Sequence, residues 1–378
     1  MTPSLAATIA ARFPLVARKR PPAKPLDARV DRLVRLAETA HREGDPDRAS
    51  MVFNGAALIA SDCGDPNLAH AWCRRHASLY LNQAPLTGHT ARFALEPVVN
   101  LARLRIREGD GDGAYRLLTH LYTAIGGGAP AVLDDLEVHP RQLPADPEEL
   151  DQIIGWLRGT LLSDGTRALL LAERWDDAVN HVRRYDGVGP TLLDGRQVAI
   201  VAHLLQNEGP AAADLLTTTK IEAPWEHAVH GLLTTWLDLA AGHTPVDHAD
   251  VIDRVSATPR TTGLTVFRVR LGLTALDLAV SIPTAAVDSL TKQLVADAIH
   301  DEDANAARDL INHPAVTSES EGTLRALIRA SGLGQGHLPA AAVDQLSSAL
   351  DVAGTAIQRH LPCQRNRLRE RQPRSMLR

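Results

Sequence analysis

The chain has 378 residues, 44% of them hydrophobic but only 3% aromatic, and a formal net charge of -5. That apolar content can fill a sizeable core or a long stack of repeats, and alanine and leucine without aromatics favour closely packed helices over a sandwich or barrel. No run of about 18 apolar residues occurs, which excludes a spanning helix, and three scattered cysteines (Cys63, Cys73, Cys363) exclude a disulfide framework and suit a reducing cytoplasm.

The charge is unevenly spread. Residues 1–24 carry five basic side chains and no acidic one, and residues 364–378 carry six arginines against Glu370 alone. The body between is acidic, so duplex DNA is a poor partner for it and nucleic acid is left to the basic tails. The alternative for the tails is plain solvation.

In chain order, residues 1–26 read as a basic, proline-rich arm. Pro14, Pro21, Pro22 and Pro25 stop any helix after a short one over 4–12. The arm lacks the uninterrupted apolar stretch and cleavage site of a secretory signal. Residues 27–128 then read as helical repeats. A helix over 27–43, capped by Asp27, meets the turn Gly44-Asp45-Pro46 and a second helix over 47–61. Gly64-Asp65-Pro66 repeats that punctuation and opens 67–81, and further helices are predicted over 91–108 and 115–125. Leu36, Ala37, Ala40, Gly44, Ala49, Phe53 and Ala56 have the spacing of a helix-turn-helix hairpin, small residues permitting close approach. Leu101, Ala102, Gly109, Ala114, Leu118 and Leu121 repeat it more weakly.

Residues 129–147, with Pro130, Pro140, Pro144 and Pro147, read as an irregular connection and as the seam between two lobes. The second lobe, 148–360, contains predicted helices at 148–161, 166–173, 175–185, 197–207, 211–216, 225–240 and 246–255. Plainer helices at 264–280, 285–300, 303–311, 319–330 and 340–359 are suited to capping the stack. Residues 361–378 form an arginine-rich tail.

Motifs for chemistry are sparse. There is no G-x-x-x-x-G-K-[ST], G-x-S-x-G or H-E-x-x-H, and the triple glycine at 126–128 has neither a preceding strand nor a following lysine. His227, His230, His243 and His248 have a spacing near that of a zinc site, but a Leu/Trp-striped helix separates them, so scattered surface histidines are the simpler reading. Cys63, His70, Cys73 and His76 flank one turn, and there core thiols are the simpler reading.

Three polar clusters are more informative: Asp164-Gly165-Thr166-Arg167, Asp194-Gly195-Arg196-Gln197 and Pro224-Trp225-Glu226, each at or just before a helix start. One reading is local, with Asp as cap, Gly in turns and Arg paired nearby. The other places Asp164, Arg167, Asp194, Arg196, Gln197, Trp225 and Glu226 on the concave face of a solenoid. There arginine grips a carboxylate or phosphate and Trp225 stacks on a ligand.

The hairpin positions in 36–56 resemble a tetratricopeptide repeat. The run from Ala56 to Ala69 (AALIASDCGDPNLA), followed by Trp72, resembles the tetratricopeptide-like C-terminal region of bacterial helix-turn-helix regulators. With 26 residues before the first hairpin, the expectation is a chain without the DNA-reading domain of those regulators. The resemblance implies an all-α, right-handed helical-hairpin solenoid in two lobes. It also implies a binding role, and with the sparse motifs and the hydropathy above the expectation is a non-enzymatic cytoplasmic adaptor, scaffold or regulatory accessory protein that binds a protein or peptide, without cofactor, metal or membrane. A regulator touching nucleic acid through basic tails and a histidine-site metalloprotein are the alternatives.

Overall fold

The computed structural model describes residues 5–82, 85–243, 248–279 and 284–361. In chain order the elements begin with α1 (Leu5–Ala10), α2 (Leu26–Glu43), α3 (Pro46–Cys63), α4 (Pro66–Leu81), α5 (Gly88–Glu108) and α6 (Gly111–Gly126). Strands β1 (Ala131–Leu133) and β2 (Leu136–Val138) precede α7 (Pro147–Thr160), a π-helical turn (Leu161–Gly165) and α8 (Thr166–Leu171). Next come α9 (Trp175–Arg184), α10 (Asp194–Leu205), α11 (Gly209–Thr217), α12 (Pro224–Ala240) and α13 (His248–Ala257). The last helices are α14 (Thr265–Leu278), α15 (Thr284–His300), α16 (Ala304–Leu310), α17 (Ser318–Ser331) and α18 (Ala340–His360). Helices dominate, as the composition implied.

The chain divides into two units. Unit I is Asp27–Ala168 with Gly334–Arg378, and unit II is Met1–Leu26 with Leu169–Leu333. The chain passes between them three times, at 26/27, inside α8 and at 333/334, and not at 129–147, which lies wholly in unit I.

Unit I is built by repeated local punctuation. Asp45 accepts from the Asp47 and Arg48 amides at the head of α3, Asp65 from Leu68 at the head of α4, and Asp110 from Gly113 at the head of α6. Each cap follows a left-handed glycine (Gly44, Gly64, Gly109), so one Gly-Asp device closes a helix and opens the next. Ala37, Ala40, Ala49, Phe53 and Ala56 are buried, as their spacing predicts, and so are Leu101, Ala102, Ala114, Leu118 and Leu121. Helix α3 packs on α4 and on α18. The loop before α18 is tied down by Gly334 and Gly336 amides donating to the carbonyls of Asp62 and Cys63, both at 2.8 Å.

The expected irregular connection contains order. Ala131, Leu133, Leu136 and Val138 are buried while Val132 and Glu137 face out, and Asp134 and Asp135 both take positive φ in the turn. This is a period-2 hairpin with a two-residue turn, a pattern that the surrounding prolines obscure.

In unit II, α10, α12, α14, α15 and α16 contribute to one apolar core that also contains Ile9, Ala10, Phe13 and Leu15. The expectation of a separate arm over 1–26 is therefore corrected for residues 5–25: their apolar side chains have helices to bury against. The arginine-rich tail lies outside the described residues from 362 onward.

Candidate functional site

The most specific arrangement in unit II is the seat that holds residues 12–24. Residues 13–24 form neither helix nor strand, and within them the Arg18 amide donates to the Val16 carbonyl at 2.8 Å and the Lys24 amide to the Pro22 carbonyl at 3.0 Å, two tight turns. Further polar groups of the segment are satisfied by the helices around it. The Gln197 side-chain amide pairs with both backbone groups of Leu15, accepting from its N–H at 2.7 Å and donating to its carbonyl at 2.8 Å; it also donates to the Leu192 carbonyl at 2.5 Å. A primary amide used this way imitates a neighbouring strand and reads backbone, not side chain.

Side chains fix the register. Phe13 and Leu15 are buried, with the Phe13 ring 6.1 Å from that of Trp236 on α12. Arg18 donates to both carboxylate oxygens of Asp194 at the head of α10. Arg12 donates to Asp277 on α14 at 2.5 Å, and His313 lies 3.3 Å from the other oxygen of the same carboxylate. Burial alone would raise the Asp277 carboxyl, but the hydrogen bonds and charges of His313 and Arg12 hold it below the ordinary aspartate range.

Further along, the Arg20 amide donates to the Gly263 carbonyl at 3.0 Å. Gly263 has φ +85°, and a Cβ there would sit 3.2 Å from the Arg20 carbonyl oxygen, so a side chain would strain the turn and press on the segment. The Ala23 amide donates to Asp303, and the Ala304 amide to the Ala23 carbonyl.

The other residues singled out by sequence fall into distinct places. Arg196 is buried beside Gln197, and its guanidinium donates to Thr219, Gly189, Leu215 and Thr218 at 2.6–2.8 Å. Burial pushes its pKa down, partly offset by Asp214. Its protein partners already use each guanidinium nitrogen. Glu226 is buried and caps α12, accepting from the Glu222 and Ala223 amides. Trp225 packs edge-on against Phe267 at 5.8 Å. Asp164 and Arg167 belong to unit I, where Asp164 sits in the π turn, accepts from Arg103 at 2.8 Å and has Arg167 at 3.9 Å.

Of the histidine quartet, His227 and His243 are exposed and His230 lies 3.3 Å from the Leu216 carbonyl; the His248 side chain is outside the described residues. Near the first turn, His70 pairs with Glu108 at 2.8 Å, while burial pushes the Cys63 and Cys73 thiols up to about 11 and 12. Among the described residues no group of three or more histidine, cysteine, aspartate or glutamate side chains is arranged to hold a metal ion, and no helix is long and apolar enough to cross a membrane.

Sequence reasoning singled out Asp194 and Gln197 but missed Trp236, Gly263, Asp277, His313 and Asp303. The available signal was the Phe13/Leu15 alternation flanked by Arg12 and Arg18. It marks a segment with one face to bury and charges to pair. No family model, curated protein or solved structure matches the chain.

Proposed function

We propose that this protein is a non-enzymatic, peptide-binding helical-hairpin adaptor or regulatory accessory protein, with its helices in a tetratricopeptide-like right-handed solenoid. Capture of an extended peptide is its mechanism, and Asp194 and Gln197 are its principal anchors. The single observation that carries this reading is the Gln197 amide clasping both backbone groups of Leu15 inside a helical core. Helical faces normally bury side chains. One that also satisfies the backbone of an unstructured segment has the equipment a peptide receptor needs, because an unpaired buried amide costs about 1–3 kcal/mol. The Gly-Asp punctuation of unit I supports the repeat half of the reading.

Random-peptide display against the full chain carrying Arg18→Glu, which removes the contact of residues 12–24 with Asp194, tests it. The selected pool is then assayed after adding Gln197→Met to that chain, the variant being folded at the assay temperature by its helicity and its melting onset. Enrichment of peptides that Gln197→Met fails to bind supports the reading. No enrichment, or a pool indifferent to the substitution, overturns it.

A further inference from the structure

We infer that residues 5–25 are a tethered competitor for the peptide seat of unit II. On this inference the ligand is a basic segment of another protein bearing the strap's own pattern, aromatic-proline-leucine followed three positions later by arginine. The inference rests on the peptide-binding reading above and adds the ligand's chemistry and its regulation.

Four observations carry it. First, much of the recognition is of backbone. Gln197 takes Leu15, Gly263 takes Arg20, and Asp303 with Ala304 takes Ala23, so these contacts would serve any chain that follows the same path and lacks proline at those three positions. Second, selectivity comes from a few points, with Phe13 and Leu15 in apolar positions and Arg12 and Arg18 on Asp277 and Asp194. Third, the charges are complementary. The strap supplies Arg12, Arg18 and Lys24, and the seat answers with Asp277, Asp194 and Glu302. Fourth, the latch at Arg18 lies at the rim, its side chain 47% exposed over an Asp194 side chain that is 11% exposed. A rim pair can open without unpacking the core.

The strap is covalently continuous with α2, so it acts on the seat at an effective concentration on the order of millimolar, and a free ligand at micromolar supply loses to it unless the strap is weakened. The seat is therefore closed by default. Weakening the Arg18 latch, by substitution or by a competing cation for Asp194, is what opens it.

The probe is a fluorescein-labelled synthetic peptide of residues 8–20, titrated by anisotropy into the full chain, into Arg18→Glu, and into Arg18→Glu/Gln197→Met. Arg18→Glu sets two carboxylates face to face at an exposed rim and leaves Phe13 and Leu15 intact; equal helicity at the assay temperature, well below the melting onset of every variant, is required before titration. The expected result is weak binding to the parent, at least about tenfold tighter binding to Arg18→Glu, and loss of that gain in the double variant. A peptide carrying Glu at the Arg18 position, assayed on Asp194→Arg, whose own Arg18 then faces a like charge, should bind through the reversed pair, and Arg18→Glu/Asp194→Arg, which restores the latch, should bind it as weakly as the parent binds its own peptide.

Equal affinity for parent and Arg18→Glu would overturn the competitor role while leaving peptide binding intact, provided Gln197→Met still abolishes it. Absence of binding to every variant, alongside successful display selection of unrelated peptides, would overturn the ligand pattern and spare the proposed function. A concentration-dependent dimer of the parent that Arg18→Glu abolishes would reassign the seat to a second copy's strap, which overturns the foreign ligand.

Discussion

The two units end their helices in different ways. In unit I the left-handed residues at helix ends are glycines, Gly44, Gly64 and Gly109, each followed by a capping aspartate. In unit II glycines serve after α12 and α17, at Gly242 and Gly332, but four further left-handed positions are taken by Glu173, Asp186, Asn207 and Glu302, residues that carry a Cβ penalty there. The helical run over 27–126 of unit I is thus punctuated by its local sequence, one turn at a time, while the segment from 334 onward is tied to it at Asp62 and Cys63. Unit II accepts local strain and is fastened by contacts between residues far apart, such as Leu15 with Gln197 and Ala23 with Ala304. Local rules and long-range fastening predict different responses to the same kind of damage.

The largest expected effect is on the fastening. Leu15 is 1% exposed in the unit II core. Leu15→Asp places an unpaired carboxylate there and should cost about 4 kcal/mol. Hydrogen exchange read by mass spectrometry should show protection falling across 169–333 well before it falls across 27–126. Uniform loss in both would mean that the strap is not specific to unit II.

Acid separates the units next. His76 is buried in unit I, stacked on Phe53 at 4.9 Å, with no hydrogen-bond partner for either ring nitrogen, and burial pushes its pKa down to about 3. An unfolded histidine titrates near 6.5, so between those values the unfolded chain binds one more proton than the folded one. Stability should therefore fall as pH drops from about 6.5 towards 3, by a few kcal/mol in all. Urea midpoints of His76→Leu should show a shallower slope in that window. Asp277, whose carboxyl is held low, supports the strap of unit II above the ordinary aspartate range near 4 and loses that contribution as pH falls below it. Acid loss of strap protection should therefore begin at lower pH than the His76 effect; a common onset would count against this assignment.

Within unit I, the glycines can be graded. Gly64 has φ +86° and a Cβ there would lie 3.1 Å from the Gly336 amide nitrogen, whereas Gly44 has φ +66° and open space. Gly64→Ala should cost about 2 kcal/mol and Gly44→Ala about 1 kcal/mol, the difference reporting the backbone approach. Equal melting shifts would show that the loop before α18 yields freely.

Legibility followed the same division. The Gly44 and Gly64 turns, the alanine-lined hairpin faces and most helices were readable because caps and periodicity act within a few residues. The 131–138 hairpin was readable in principle, since A-V-L-D-D-L-E-V alternates, but prolines nearby suggested irregularity. The strap was readable at most as a segment with one face to bury, from Phe13 and Leu15: its prolines correctly deny it a helix, and nothing local announces that Gln197, 182 residues away, satisfies its backbone. Asp194, Arg196 and Gln197 stood out as polar residues opening an apolar helix. Burial then sorted them: Arg196 faces carbonyls and hydroxyls of its own neighbourhood, while Asp194 and Gln197 face the strap.

The smallest predicted effect addresses the strained ends of unit II directly. Glu173 is exposed at φ +57°, in the turn between α8 and α9 where the Arg174 amide donates to the Leu169 carbonyl. A glutamate there bears the left-handed penalty of about 1 kcal/mol, and glycine removes it. Glycine also gains freedom in the unfolded chain, which offsets part of the benefit, so Glu173→Gly should stabilise by about 0.5 kcal/mol. The matching substitution in unit I runs the other way, because Gly44 already holds the residue its turn requires. A calorimetric rise for Glu173→Gly together with a fall for Gly44→Ala is the expected pair. A fall for both would mean that the Glu173 turn is held by a side-chain contact, and that unit II also chooses its turn residues locally.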